Sequence, residues 1–151
     1  MDLLIRAAIA EEAPVLTALA LRSKRFWGYD DDFMRTAFSD LEIVPESFRA
    51  RKYYVLEGES RVRGFYSLEP FPDRVELTHL FVVPEGVRHG FGKLLWDHAI
   101  TTARQAGHFR LLITSDPNAE GFYIAMGAVS IGAIESPVVP GRKLPILEFR
   151  L

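Results

Sequence analysis

The run Val82–Lys93, VVPEGVRHGFGK, constrains this chain more than any other stretch. Ahead of it, Val75–Val83 carries strand formers at Val75, Leu77, Phe81, Val82 and Val83. Pro84 ends that run, because proline has no N–H to give a sheet ladder. Glycines stand at Gly86, Gly90 and Gly92, and from Phe91 the spacing becomes helical, with Phe91, Leu94, Leu95, His98, Ala99 and Thr102 on one face. The order is strand, glycine-bearing turn, helix. A helix start leaves about four backbone N–H groups unpaired at the positive end of the helix dipole. Gly90 and Gly92 put no side chain in front of them, so the turn predicts an anion site suited to phosphate. It is not a Walker A loop, which needs Gly-Lys-Ser/Thr, nor the dinucleotide fingerprint G-x-G-x-x-G. A bare G-x-G before a helix also occurs in closely packed turns, so the surrounding chain decides.

That chain, residues 1–151, has the length of a single domain and enough apolar content for a core. The formal charge of −2 and the lack of a Lys/Arg run exclude a nucleic-acid footprint. With no cysteine there is no disulfide, thiol nucleophile or thiolate metal site. The start, MDLLIRAAIAEEA, lacks the basic and apolar segments of a signal peptide, and no apolar run approaches the ~20 residues of a membrane span. A soluble, cytoplasmic protein is the expectation.

Leu3–Ala8 reads as a first strand and Glu11–Arg22 as a helix, with Pro14 tolerated in its first turn. Asp30 or Asp31 suits the cap of a second helix over Asp32–Ser39. Tyr53–Glu57, Val62–Leu68 and Val75–Val83 read as strands with short links, an antiparallel meander. The helix Phe91–Ala106 stops at Gly107, and Phe109–Thr114 follows as a strand, a spacing that suggests a parallel crossover. Asn118 or Ser115 suits the cap of a short helix ending at Met126, and Ala128–Ile134 and Ile146–Leu151 close the chain as strands. The order β-α-α-β-β-β-α-β-α-β-β is that of an α+β domain with a mixed sheet.

With LTHLFVVPEGVRHGFGKLL (Leu77–Leu95) and NAEGFYIAMGA (Asn118–Ala128), this order resembles the GNAT superfamily of acetyl-CoA-dependent N-acetyltransferases over nearly the whole chain. The resemblance implies a mixed central sheet of about seven strands flanked by about four helices. It implies that Phe81, Val82, Val83, Arg88, His89, Gly90, Phe91, Gly92 and Lys93 hold acetyl-CoA, largely through backbone N–H groups on the pyrophosphate. Val87 stands where the family usually carries Arg or Gln, with Arg88 next to it to supply charge. By the same resemblance Asn118 and Phe122 border the pantetheine arm, and Tyr123 protonates the departing thiolate.

Acetylating an amine requires a neutral nitrogen, so something must accept the ammonium proton. Glu76 and His79 are the two candidates on the strand entering the turn. In a regular strand they point to opposite faces, and a bulge near Leu80–Val82, usual in the family, lies beyond both. Glu76 is favoured, since several family members carry a glutamate base there. No two histidines stand at i, i+4, so a metal site is unsupported. Trp27 and Tyr29, beside Asp30–Asp32, suit a cationic acceptor by stacking and charge, with Tyr66, Phe71 and Arg142 as further lining residues.

The reading that follows is direct acetyl transfer to a primary amine of a small molecule or peptide in a ternary complex. The alternatives are a non-catalytic acyl-CoA-binding or regulatory module on the same fold and, less well supported, a nucleotide-phosphate binder. The exposed C-terminal strands suit pairing in a homodimer.

Overall fold

The computed structural model describes residues 2–151. Its centre is one seven-stranded sheet in the order β1-β2-β3-β4-β5-β7-β6, so the α+β reading holds. The strands are β1 (Leu3–Ala7), β2 (Lys52–Gly58), β3 (Arg61–Phe71), β4 (Arg74–Val82), β5 (Arg110–Thr114), β6 (Val129–Glu135) and β7 (Lys143–Arg150). The helices are α1 (Ala13–Arg25), α2 (Asp31–Leu41), α3 (Phe91–Gln105) and α4 (Glu120–Ala125). Every neighbouring pair is antiparallel except β4 and β5, which α3 joins as a crossover. β6 forms an open edge with all seven residues exposed.

Local chemistry explains the element ends. Asp30 caps α2 by accepting the Phe33 N–H at 2.8 Å. Gly107 closes α3 at φ +87°, where a Cβ would be strained. The helix expected from Ser115 or Asn118 starts differently. Asp116 accepts the Asn118 N–H at 2.7 Å and caps a 3-10 turn, Pro117–Ala119, which runs into α4. Helix α1 lies further along the chain than expected, because residues 10–12 form a 3-10 turn and the helix then runs through Arg25.

The buried face of α3 is rotated from the expected one. Phe91, Leu95, Trp96, Ala99, Ile100 and Ala103 point inward, while Leu94 is exposed. Trp96 packs edge-on against Phe149 of β7 at 5.3 Å, so the buried face takes in Trp96 and leaves Leu94 out. His98 and Thr102 stay at the margin, where both bond the Tyr66 hydroxyl, at 2.6 and 3.2 Å. On the opposite side α1 adds Leu16, Leu19 and Ala20 to the core.

The glycine turn is welded to the core through Phe91. A Cβ on Gly86 would stand 2.2 Å from the Phe91 ring, so this glycine serves packing rather than a ligand. We expect Gly86→Ala to lower stability by about 1–3 kcal/mol, the usual cost of forcing a buried ring to shift. Urea unfolding with an unchanged m-value is the check, and an unaltered midpoint would contradict the packing role.

Candidate active site

The site originates in an irregularity of β4. Across from β3, Leu77 pairs with Leu68 and His79 with Ser67, so Thr78 is an extra residue, a β-bulge. Ser67 holds it, with its buried hydroxyl 2.6 Å from both Thr78 Oγ1 and His79 Nδ1. The parallel pairing of β4 with β5 stops at Leu77 and Ile113. Beyond that point the strands diverge, and the β5-facing backbone of β4 borders a cleft of about 430 Å³.

The bulge corrects one expectation. It falls between Glu76 and His79, not at Leu80–Val82. Glu76 pairs with Glu69 and His79 with Ser67, two residues apart on a regular strand. Both side chains therefore share one sheet face and line the cleft. Their surroundings differ. Burial pushes the His79 imidazole down to about 3, helped by the charge of Arg51, so it is neutral across the physiological range. Glu76 is partly exposed, and its Oε2 accepts from Arg74 Nε at 2.9 Å, while Oε1 makes no hydrogen bond among the described residues.

At the other end of the cleft lies the glycine turn. Gly90 sits at the N-cap of α3 with φ +76° and no side-chain cap bond, and Leu94 is the first residue to bond back to it. The N–H groups of Phe91, Gly92 and Lys93 have no acceptor among the described residues. This is the donor set that an anionic group needs. Gly92 has a second duty, since a Cβ there would lie 3.1 Å from the Phe122 ring of α4.

Tyr123 enters from α4. Its ring is buried against Trp96 and Phe122, and its hydroxyl makes no hydrogen bond among the described residues. Burial raises its pKa well above the usual phenol value, so the group holds its proton.

Of the residues singled out in the sequence, the cleft gathers Trp27, Glu76, His79, Phe81, Val82, Gly90, Gly92, Lys93, Asn118, Phe122 and Tyr123. It does not gather Val83 and Phe91, which are core residues, or Arg88 and His89, which are exposed on the turn. Tyr29 is also outside the lining: it stacks on Phe33 at 4.0 Å, and its hydroxyl joins a part-buried network that borders the cleft.

That network is what sequence reasoning missed. Lys24, 8 % exposed, pairs with Asp116. Arg142 reaches Asp116 at 2.9 Å and the Tyr29 hydroxyl at 2.7 Å, and stands over the rings of Tyr29 and Phe33. The Tyr29 hydroxyl also lies 3.0 Å from Asp116 and receives the Asn118 amide at 2.9 Å. Burial lowers the Lys24 pKa against the pull of Asp116. The Asp116 carboxyl lies below its ordinary value: burial opposes the ionised form, but hydrogen bonds and charge from Lys24 and the Asn118 N–H outweigh it. A signal existed, because Leu16, Ala20 and Lys24 repeat at i, i+4, i+8, which puts a lysine on the buried stripe of α1. Ending the expected helix at Arg22 hid it.

Comparison with known proteins agrees with this geometry. The acetyltransferase (GNAT) family model matches residues 16–128, and the chain belongs to that family. Among curated proteins, human N-acetyltransferase 8 is 29 % identical over 135 residues, which cover 83 % of this chain and 60 % of the human protein. Among solved structures, the GCN5-related N-acetyltransferase of Rhodopseudomonas palustris superposes with a TM-score of 0.83 at 20 % identity, covering 100 % of this chain and 97 % of that one. The PaiA N-acetyltransferase of Thermoplasma acidophilum, solved with coenzyme A, superposes at 0.80 with 18 % identity over the whole of both chains.

Two stability tests follow from the buried groups. In Asp116→Asn, Lys24 and Arg142 face each other without their shared carboxylate, and we expect a loss of about 3–5 kcal/mol in chemical denaturation. A loss below 1 kcal/mol would show that solvent already screens the network. For His79 the unfolded side chain takes a proton near pH 6.5 and the folded one only near 3. Its contribution is thus complete above pH 6.5 and is lost as pH falls toward 3. His79→Gln should flatten the stability profile in that window, and an unchanged slope would refute the burial effect.

Proposed function

We propose that this chain is an acetyl-CoA-dependent N-acetyltransferase that moves the acetyl group directly to a primary amine of a small molecule or peptide. The observation that carries this reading is the convergence of three parts on one cleft: free N–H groups at the start of α3, the open backbone of β4, and Tyr123. The free N–H groups fit the cofactor pyrophosphate, with Lys93 beside them. Phe81, Val82 and Phe122 offer an apolar flank for the pantetheine arm, and family membership with a coenzyme A-bound neighbour supports the same ligand.

The chemistry is a single displacement. The chain has no cysteine to carry the acetyl group, so the amine attacks the thioester carbonyl itself. Backbone donors of β4 around Phe81–Val82 stabilise the oxyanion, the C–S bond breaks, and Tyr123 gives the sulfur a proton or a hydrogen bond. The ammonium proton leaves by way of Glu76. His79 is poorly suited to that role, because its desolvated surroundings disfavour the charged imidazolium.

A thiol-release assay over an amine panel, run beside a coenzyme A titration, tests the reading. Binding without turnover on any amine would make the chain an acyl-CoA-binding module instead. Tyr123→Phe should cut turnover roughly 10²-fold and leave cofactor affinity within about two-fold, and equal turnover would remove Tyr123 from the chemistry. Glu76→Gln should slow turnover at neutral pH, with the deficit shrinking as pH nears the amine pKa. A constant deficit across that range would leave Glu76 an electrostatic role only.

A further inference from the structure

Lys24 has hydrogen-bonding capacity that the protein leaves unspent. An ammonium carries three N–H donors. One goes to Asp116 Oδ2, and no other acceptor lies within hydrogen-bond reach among the described residues. The side chain is nonetheless nine-tenths buried and lines the cleft shared with Tyr123 and Glu76.

Its charge is unspent too. Asp116 is the one carboxylate paired with both Lys24 and Arg142, so this buried group carries two cations against one anion. The Tyr29 phenol does not supply the missing charge, because burial and Asp116 both raise its pKa. Asp40 acts on Lys24 from a distance, but it is exposed and forms no ion pair among the described residues. Of the other cations on this wall, Arg51 is held by Glu69 at 2.7 Å. Lys24, Arg142 and Asp116 therefore form a group of net positive charge that offers the cleft two donors unused among the described residues, while Asp40 and Glu76, the latter paired with Arg74, line the same cleft.

We infer that Lys24 anchors a carboxylate of the acceptor, and that the acceptor class is a zwitterionic amine, an amino acid, rather than a simple amine or a diamine. This rests on the acetyl-transfer reading above and names its acceptor. The ammonium end meets the carboxylates on the wall and the carboxylate end meets Lys24. A diamine would set its second ammonium against Lys24 with no counter-charge. Lys24 acts on affinity and orientation and takes no part in bond making.

The test compares matched acceptors with one side chain: the free amino acid, its amide, and the decarboxylated amine. Initial rates at saturating acetyl-CoA give kcat/KM for each. We expect the free acid to lead by about ten-fold or more, the scale of a charge-assisted hydrogen bond. Lys24→Met leaves Asp116 and Arg142 as a neutral pair, so the fold retains a balanced site. This variant should lose the preference mainly through KM, with the amide changed less than about three-fold, and Lys24→Arg should restore part of it. Equal rates for the acid and the decarboxylated amine in the unaltered protein would overturn the inference whatever the variants do. A loss shared equally by acid and amide in Lys24→Met would overturn it as well. Should no acceptor turn over, the transferase reading fails, and calorimetric titration of the coenzyme A-loaded protein with the same compounds still decides. Acid-selective binding lost in Lys24→Met supports the anchor, and no binding of the acid refutes it.

Discussion

One extra residue in β4 organises the functional half of this molecule. A strand that kept its register would carry Glu76 and His79 on opposite faces. The bulge at Thr78 brings them to one face, and the end of pairing with β5 at Leu77 opens the space that they line. A bulge costs ladder hydrogen bonds, so something must hold it. Here a single hydroxyl does so, since Ser67 reaches both Thr78 and His79 at 2.6 Å. The site is thus built on a sheet interior rather than on loops, which gives it the rigidity that positioning a thioester demands.

The opposite wall is assembled by electrostatics instead of pleating. Lys24 comes from α1, Tyr29 from the link to α2, Asp116 and Asn118 from the turn after β5, and Arg142 from the link between β6 and β7. Desolvated ions are a costly way to join segments, and apolar residues of equal volume would often be as stable. What ions add is directionality. Asp116 also caps the turn that leads into α4, so the carboxylate that gathers the cations fixes where the helix bearing Tyr123 begins.

The order of elements was legible in the sequence because each carries local signals: alternation in the strands, a capping Asp30, stop glycines, and a proline after β4. The glycine turn was legible for the same reason, since left-handed backbone at Gly90 is a local requirement. What stayed hidden depends on partners far away in sequence. The buried face of α3 includes Trp96, whose ring meets Phe149 of β7. The bulge is a mismatch between two strands, and neither strand encodes it alone. The Lys24–Asp116 pair spans 92 positions, and only the placement of a lysine on an apolar stripe hinted at it. The packing duties of two glycines were hidden as well, since Gly86 makes room for the Phe91 ring and Gly92 for that of Phe122.

The shared face changes how the proton question should be put. If Glu76 and His79 had faced apart, direction alone would have chosen between them. Since both reach the cleft, their surroundings are what separates them. His79 is enclosed by Tyr53, Phe65 and Phe81, and that desolvation keeps it neutral, which suits it to brace Ser67 and the bulge. Glu76 keeps solvent contact, binds Arg74 through Oε2, and leaves Oε1 free. It also borders a second, open recess with Arg74, Arg110 and Thr114. The same carboxylate thus lines two spaces, the cleft and this recess. The aromatic cage around His79 and the partial exposure of Glu76 give two residues on one strand face opposite surroundings, one desolvated and one open to water.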